Sequence, residues 1–159
     1  GEWYCCHEDK TYEGRQWITV AAPIDTIPVF YLCGKVIPML THIPQTTMNL
    51  KPTTLSLFLA LPSSLGTWTS FLCEDDGLTT KRNEAHCFDT KFTIKSTTNG
   101  IRLESTTTGN GFPEFKRNKF NFVFAADPST KPLKDSIKKK QRGYVLDNKG
   151  EALNIKLTQ

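Results

Sequence analysis

Two short clusters of polar residues carry the side chains that enzymes and metal sites use. Residues 5–9, Cys-Cys-His-Glu-Asp, combine two thiols, an imidazole and two carboxylates. Five consecutive residues cannot all converge on one ion, and zinc sites usually draw their ligands from separated positions. We therefore predict a solvated hairpin loop at residues 5–9, with no metal and no cofactor.

The second cluster places three carboxylates side by side at Glu74, Asp75 and Asp76, followed by Gly77. Adjacent residues on a strand point to opposite faces of a sheet, and turn residues point to water. An Asp-Gly step is also the strongest short-range turn signal. These four residues predict a structural turn, and the sequence contains no candidate catalytic residue.

The cysteines favour reduced thiols in the protein interior. Cys5, Cys6, Cys33, Cys73 and Cys87 make an odd count without regular spacing, which is not the pattern of a disulfide framework. Free cysteines behave as small hydrophobic residues. Together with the lack of an opening signal-peptide pattern, they favour a reducing, cytoplasmic location. The chain opens directly in sequence typical of a folded domain, which suggests a piece of a larger protein.

The elements that position these residues are β-strands. Runs rich in β-branched and aromatic residues, separated by Gly, Pro and Asp turns, predict about ten short strands, and no helical stripe of period 3.6 continues for three turns. The chain is therefore predicted to be all-β, built from antiparallel β-sandwich units without substantial helix. The predicted strands are 17–20, 27–31, 36–39, 55–61, 68–73, 87–95, 100–103, 120–124, 143–146 and 153–157. Pro23-Ile24-Asp25 predicts a turn between the first two strands. Asn99-Gly100 predicts the turn of a hairpin formed by 87–95 and 100–103.

Length and charge exclude several functions. A chain of 159 residues is too short for a large barrel enzyme, which needs about 250. No apolar run approaches the roughly 18 residues of a membrane span. Basic residues cluster at positions 116–142, and such a cluster is able to bind nucleic acid or anionic lipid. A net charge of +4 and the absence of a nucleic-acid-binding motif favour a solvated basic loop, with no specific nucleic acid and no membrane as partners.

Two groups of motifs resemble the region that follows the catalytic barrel in α-glucosidases and α-xylosidases of glycoside hydrolase family 31. The family pattern there is Trp-Tyr-Asp, a loop ending in Tyr-x-Gly-Gly, then Ala-Pro-Leu-Asp-x-Ile-Pro-Val-Phe and Ile-Ile-Pro, with a distal Tyr-Glu-Asp-Asp-Gly turn. The matching residues here are Trp3-Tyr4, Tyr12-Glu13-Gly14, 20–25, 27–30, Gly34, Ile37-Pro38, 57–62 and 71–77.

The departures from the family pattern are specific. Cys5 replaces Asp, Arg15 replaces the second Gly of the loop, and Leu32 stands where a basic residue is frequent. Cys73 replaces the tyrosine of the acidic turn. These changes are consistent with a divergent or inactive member of the family.

The resemblance implies a non-catalytic role. In the family, two carboxylates about 5–9 Å apart cleave the glycosidic bond from within the barrel, and no barrel motif occurs in this chain. The resemblance implies a remnant of a proximal C-terminal β-domain at residues 1–40, a linker at 41–53 and a distal β-sandwich at 54–159. Its partner would be an α-glycosidase catalytic barrel, on the same parent chain or on another, which this region would support.

The alternative is a stand-alone carbohydrate-binding module. Trp3, Tyr4, Trp17 and Trp68 would then stack on the sugar rings of an α-glucan oligosaccharide, with Tyr12 as a further aromatic. Aromatic residues on strands also commonly belong to the core. The exposure of their rings distinguishes the two interpretations.

Overall fold

The chain is all-β. The computed structural model describes residues 1–46, 54–78, 80, 87–117, 119–125, 131–132, 137–140, 143–147 and 154–158. Within these ranges the regular structure consists of strands and one 3₁₀ turn, Pro113–Phe115, which confirms the predicted fold class. The strands are β1 Glu2–Cys5, β2 Lys10–Glu13, β3 Phe30–Leu32, β4 Val36–Leu40, β5 Thr54–Leu59, β6 Gly66–Glu74, β7 Phe88–Thr97, β8 Gly100–Thr108, β9 Lys119–Phe124, β10 Lys131–Pro132, β11 Ile137–Lys140, β12 Gly143–Asp147 and β13 Asn154–Thr158.

These strands form three sheets. A small sheet has the order β2-β1-β3, a second sheet has the order β11-β12-β9-β5-β4, and a third has the order β10-β13-β8-β7-β6. Most neighbours are antiparallel, but β5 and β9 pair in parallel. A parallel pair needs a long crossover, and here the β6-β7-β8 meander lies between the two strands in sequence.

Strand β5 is the central element because both of its faces are buried. Leu55, Leu57 and Leu59 point to one side, while Phe58 and the following Ala60 point to the other, and all five are at most 8% exposed. The apolar run at 55–61 predicts this double burial, since a strand covered on both faces loses the usual polar alternation. Truncating Leu57, which is fully buried, to Ala would cost about 2–5 kcal/mol.

The two faces of β5 belong to two cores. The main core lies between the second and third sheets, where bulky side chains of both interdigitate. Its buried members are Val36, Leu55, Leu57, Leu59, Phe92, Ile94, Ile101, Leu103, Phe120 and Phe122. On the opposite face, the small sheet packs against β5: the rings of Tyr31 and Phe58 lie 4.7 Å apart between centroids, and Tyr4 lies 6.0 Å from Phe58.

Gly34 connects the small sheet to the rest of the protein. Its φ of +82° is in the left-handed region that glycine tolerates, and its N–H donates to the carbonyl of Ala60 at 2.7 Å. A Cβ at this position would lie 2.5 Å from Cγ of Trp68. The indole of a third-sheet strand therefore rests directly on the backbone between β3 and β4.

The predicted strand at 17–20 is wrong. Residues 17–29 form no strand pairing and run as an extended segment, with Trp17 fully exposed. High β-propensity stabilises a strand only where a neighbouring strand accepts its ladder and packs its side chains. The predicted turn at Pro23 is present, since the N–H of Thr26 donates to the carbonyl of Pro23 at 2.8 Å.

Of the predicted strand 27–31, only Phe30 and Tyr31 lie in a strand, β3. The other predicted strands, 36–39, 55–61, 68–73, 87–95, 100–103, 120–124, 143–146 and 153–157, overlap observed strands. The β7–β8 hairpin turns at Asn99, with Thr97 paired to Gly100. Strand β4 pairs with β5 in the second sheet, so the sheets divide between Leu32 and Val36. The predicted division into units at 1–40, 41–53 and 54–159 remains a prediction, and residues 47–53 of the linker lie outside the described residues.

Candidate functional site

The outer face of the small sheet carries a concave site. Trp3 on β1 lies directly opposite Tyr12 on β2 and Leu32 on β3. Side chains alternate across a strand, so Tyr4, the next residue, points inward to Phe58 while Trp3 points outward. The hairpin loop at residues 6–9 joins the two strands, as the sequence predicts.

A groove of about 470 Å³ runs between this face and the extended segment that follows β2. It combines aromatic and aliphatic walls with polar side chains at its mouth. The lining residues are Trp3, Tyr12, Glu13, Gly14, Arg15, Gln16, Ile18, Val20, Pro28 and Phe30. Its volume lies within the range of small-molecule sites, about 300–1,000 Å³.

The bend after β2 shapes the mouth of this groove. A Cβ on Gly14 would lie 2.6 Å from the carbonyl oxygen of Gly1 and 3.4 Å from Nε1 of Trp3. Arg15 follows with a φ of +60°. The side-chain amide of Gln16 donates to the carbonyl of Glu13 at 2.8 Å and so closes the bend.

Three large apolar side chains of the extended segment are exposed to solvent. The exposed fractions of Trp17, Ile24 and Ile27 are 102%, 108% and 84%. Exposed apolar patches on a folded protein mark interaction sites. We call this set the apolar segment face, defined by Trp17, Ile24 and Ile27.

The structure separates the four aromatic residues predicted to bind sugar. Trp3 lines the groove and is 40% exposed, and Trp17 is fully exposed on the apolar segment face. Tyr4 is 8% exposed, and its hydroxyl donates to Asp9 at 2.7 Å. Trp68 packs against the main core and covers Gly34. Among the groove residues, Phe30, Glu13, Arg15 and Gln16 were not identified from sequence.

The acidic turn has a structural anchor that the sequence did not reveal. Glu74 accepts two hydrogen bonds from the Arg117 guanidinium, at 2.5 and 2.6 Å, and the Arg117 side chain is 1% exposed. Asp75 accepts a hydrogen bond from the N–H of Gly77 at 2.8 Å, and Asp76 accepts one from Leu78 at 3.0 Å. The predicted basic surface therefore loses Arg117, which points into the protein.

The cysteines are free thiols in the described residues. Cys5, Cys33 and Cys87 are buried, while Cys6 and Cys73 are exposed. Burial is the main cause that raises the pKa of Cys33 to about 11, with a further contribution from the charge of Glu2. Nowhere in the described ranges do three or more His, Cys, Asp or Glu side chains assemble into a metal site. The described part of the chain also contains no helix long and apolar enough to cross a membrane.

The fold and its motifs define a class: this chain is similar to the non-catalytic C-terminal β-region of glycoside hydrolase family 31 enzymes, as the sequence motifs indicate. No protein-family model matches the chain. A curated relative is the neutral alpha-glucosidase AB of Sus scrofa, which is 31% identical over 86 residues, covering 54% of this chain and 9% of that protein.

Solved structures share the fold over the whole chain. A family 31 dextranase from Flavobacterium johnsoniae, complexed with glucose, superimposes with a TM-score of 0.78 at 19% identity and covers 100% of this chain. A mutant of that dextranase complexed with isomaltotriose gives a TM-score of 0.77 at the same identity. The chain spans 23% of the dextranase and 9% of the α-glucosidase, so it corresponds to a small part of each.

Proposed function

We propose that this chain is a supporting β-region that docks against an α-glycosidase catalytic barrel and contributes no catalytic residue of its own. The apolar segment face carries the proposal. A folded β-protein does not leave a tryptophan and two isoleucines fully in water without cost, because each such side chain gains about 1.5–3 kcal/mol on burial. A partner surface that covers these three residues supplies that burial.

The way the segment is held supports a docking role. The carbonyl of Val29 accepts the N–H of Cys6 at 3.0 Å, and the turn at Pro23 is closed by Thr26. Its far end continues into β3 and its near end into the bend at Gly14. The segment is thus anchored at both ends, while Trp17, Ile24 and Ile27 are exposed and Ile18, Val20 and Pro28 line the groove.

The likeness to family 31 enzymes supports a catalytic barrel as the partner. Both relatives are much longer than this chain, and their names describe an α-glucosidase and a dextranase. The parent activity implied for this chain is the hydrolysis of α-glycosidic bonds, performed by the barrel. The two domain units predicted from sequence, a proximal remnant and a distal sandwich, belong to the same proposal.

A binding measurement with two matched triple variants tests the proposal. The partner is the catalytic barrel of a family 31 α-glucosidase, produced without its own C-terminal β-region. In the first variant, Trp17, Ile24 and Ile27 are each replaced by serine; in the control, the exposed Leu65, Phe71 and Leu78 are replaced by serine. We expect the first variant to bind at least roughly a thousandfold more weakly, since three side chains at about 1.5 kcal/mol each lose about 4.5 kcal/mol of burial free energy.

The control variant should keep the affinity of the unmodified chain. Equal losses in both variants would show that general surface hydrophobicity, not the apolar segment face, drives association. A lack of binding by the unmodified chain would contradict the docking role itself.

A further inference from the structure

The groove on the small sheet has aromatic walls that remain partly accessible. Trp3 and Tyr12 lie opposite one another on adjacent antiparallel strands, and the ring of Phe30 meets Tyr12 edge to face at 6.2 Å between centroids. Trp3 is 40% exposed, and Ile18 and Val20 add aliphatic surface to the lining. A ligand that enters the groove therefore meets flat apolar surfaces.

The charged side chain that faces the groove is a cation. Arg15 and Glu13 are the charged residues among those that line it. Side chains alternate along a strand, so the Glu13 carboxylate lies on the face of the small sheet opposite Tyr12. Accordingly, burial raises the pKa of Cys33 on that opposite face, and the charges of Glu2 and Glu13 add to the rise. The guanidinium of Arg15 is left as the charge on the groove side.

Lys10 adds a second positive charge beside the groove. Lys10 and Tyr12 are two residues apart on β2 and therefore share a face of the sheet, and Nζ of Lys10 lies 4.8 Å from the centre of the Tyr12 ring. The nearby carboxylate of Glu8 accepts a hydrogen bond from the Tyr12 hydroxyl and does not line the groove. The electrostatic environment of the groove thus favours an anionic ligand.

The Arg15 guanidinium is available to such a ligand. Within the described ranges it forms no ion pair and no side-chain hydrogen bond. Its backbone is held in the bend that the Gln16 amide closes on the carbonyl of Glu13. The φ of +60° disfavours residues with a Cβ, and the family motif that the loop resembles has glycine here. An arginine kept in an unfavourable backbone conformation indicates a functional position.

From this combination we propose that the groove binds a small aromatic carboxylate. The flat ring system of such a ligand packs against the rings of Trp3, Tyr12 and Phe30, where offset and edge-to-face contacts are favourable. Its carboxylate accepts two parallel hydrogen bonds from the planar guanidinium of Arg15. The groove volume of about 470 Å³ suits a mono- or bicyclic ligand.

This site is separate from the proposed docking surface. None of the three residues that define the apolar segment face lines the groove. The ligand proposal therefore does not rest on barrel docking, and Trp17→Ala distinguishes the two. That variant is expected to weaken docking while leaving the affinity for the carboxylate unchanged.

The experiment is an amide NMR titration of the 159-residue chain with naphthoate, and with its neutral amide, naphthamide, as the matched ligand. We expect saturable binding of naphthoate with a Kd on the order of 0.1–1 mM. The largest shifts should occur at the indole N–H of Trp3 and the backbone N–H of Arg15. Naphthamide should bind about tenfold more weakly, because it carries no charge for the guanidinium. Decanoate, which has the same charge on a flexible chain without a ring, should also bind more weakly than naphthoate.

Two substitutions of Arg15 test the role of its side chain. Arg15→Gly removes the left-handed strain and should raise the Tm, while it should weaken naphthoate binding about tenfold and leave naphthamide binding unchanged. Arg15→Lys keeps the charge and loses the planar fork, so its affinity for naphthoate should lie between those two proteins. Arg102→Ala, which removes an exposed arginine from β8 on another sheet, should leave the naphthoate Kd unchanged.

Several outcomes would overturn the proposal. They are the absence of saturable naphthoate binding to the unmodified chain, equal affinities for naphthoate and naphthamide, and an unchanged naphthoate Kd in Arg15→Gly. Binding of decanoate as tight as that of naphthoate would exclude recognition of the aromatic ring. A lower Tm in Arg15→Gly would refute the strain argument on which the role of Arg15 depends.

Discussion

The ion pair between Glu74 and Arg117 is expected to stabilise the fold through strong coupling of its two members. The pair joins the end of β6 to the segment before β9, two points 43 positions apart in the chain. The Arg117 side chain is 1% exposed and the Glu74 side chain 12% exposed. Replacing Glu74 by glutamine removes the carboxylate that accepts two hydrogen bonds from this buried guanidinium.

The burial and the bidentate geometry set the magnitude. Removing one partner of a buried pair costs about 3–5 kcal/mol, and we expect about 3 kcal/mol for Glu74→Gln. Arg117→Met should cost a similar amount, because it strands the carboxylate and frees the carbonyl of Phe115, which Arg117 bonds at 3.2 Å. The double variant leaves neither charge alone, so its loss should fall well below the sum, with a coupling of about 3 kcal/mol.

Urea denaturation of the unmodified protein, the two single variants and the double variant measures this coupling free energy. With a slope of about 2 kcal/mol/M, each single variant should lower the midpoint by roughly 1.5 M. The exposed pair of Lys95 and Glu104, at 2.8 Å with side chains 47% and 28% exposed, is the control: Lys95→Met should cost about 0.5 kcal/mol or less. If the losses of the two single variants add up to that of the double variant within about 0.5 kcal/mol, the coupling between Glu74 and Arg117 is refuted.

Two further predictions concern the junction between the small sheet and the rest of the protein. Gly34→Ala should lower the free energy of unfolding by about 3 kcal/mol, because a Cβ 2.5 Å from Trp68 adds overpacking to left-handed strain. The control is Gly77→Ala, with a φ of +66° and nothing within 4 Å, which should lower it by only about 1 kcal/mol. Equal losses for the two variants in urea denaturation would contradict the overpacking at Gly34. The pKa of Cys33, raised by burial from 9.0 to about 11, implies that its neutral thiol stabilises the fold below pH 9 and that this contribution is lost as the pH rises from 9 to 11. Iodoacetamide at pH 8 should therefore modify the exposed Cys73 well before Cys33 by mass spectrometry, and equal native-state rates would show that Cys33 is accessible.

Local patterns predicted the parts of the fold that depend on local chemistry. The apolar run of β5 indicated burial on both faces, and the Asn99-Gly100 step indicated a hairpin. Both follow from residues that lie next to each other in sequence. The extended segment at 17–20 was misassigned as a strand, because propensity does not reveal whether a partner strand is present.

The candidate site was only partly predictable for the same reason. Trp3 was identified by residue type, but the groove is also lined by Phe30, which lies on a distant strand, and by Arg15, whose placement depends on a backbone angle. Arg117 was assigned to a basic surface because Lys116 and Lys119 lie close to it in sequence. Its pairing with Glu74 is a long-range contact that no local pattern encodes.

The parallel pairing of β5 with β9 also has a consequence for synthesis of the chain. Strand β5 leaves the ribosome before the whole β6-β7-β8 meander, and at ~5–20 residues/s its partner β9 follows several seconds later. During that interval one edge of β5 is unpaired and its apolar faces are exposed. An unpaired, apolar strand edge can associate with another chain. The β6-β7 and β7-β8 pairings are local, so this meander is expected to fold first and to cover one face of β5. Strand β9 then pairs with the open edge of β5, before β12 and β13 pair with β9 and β8.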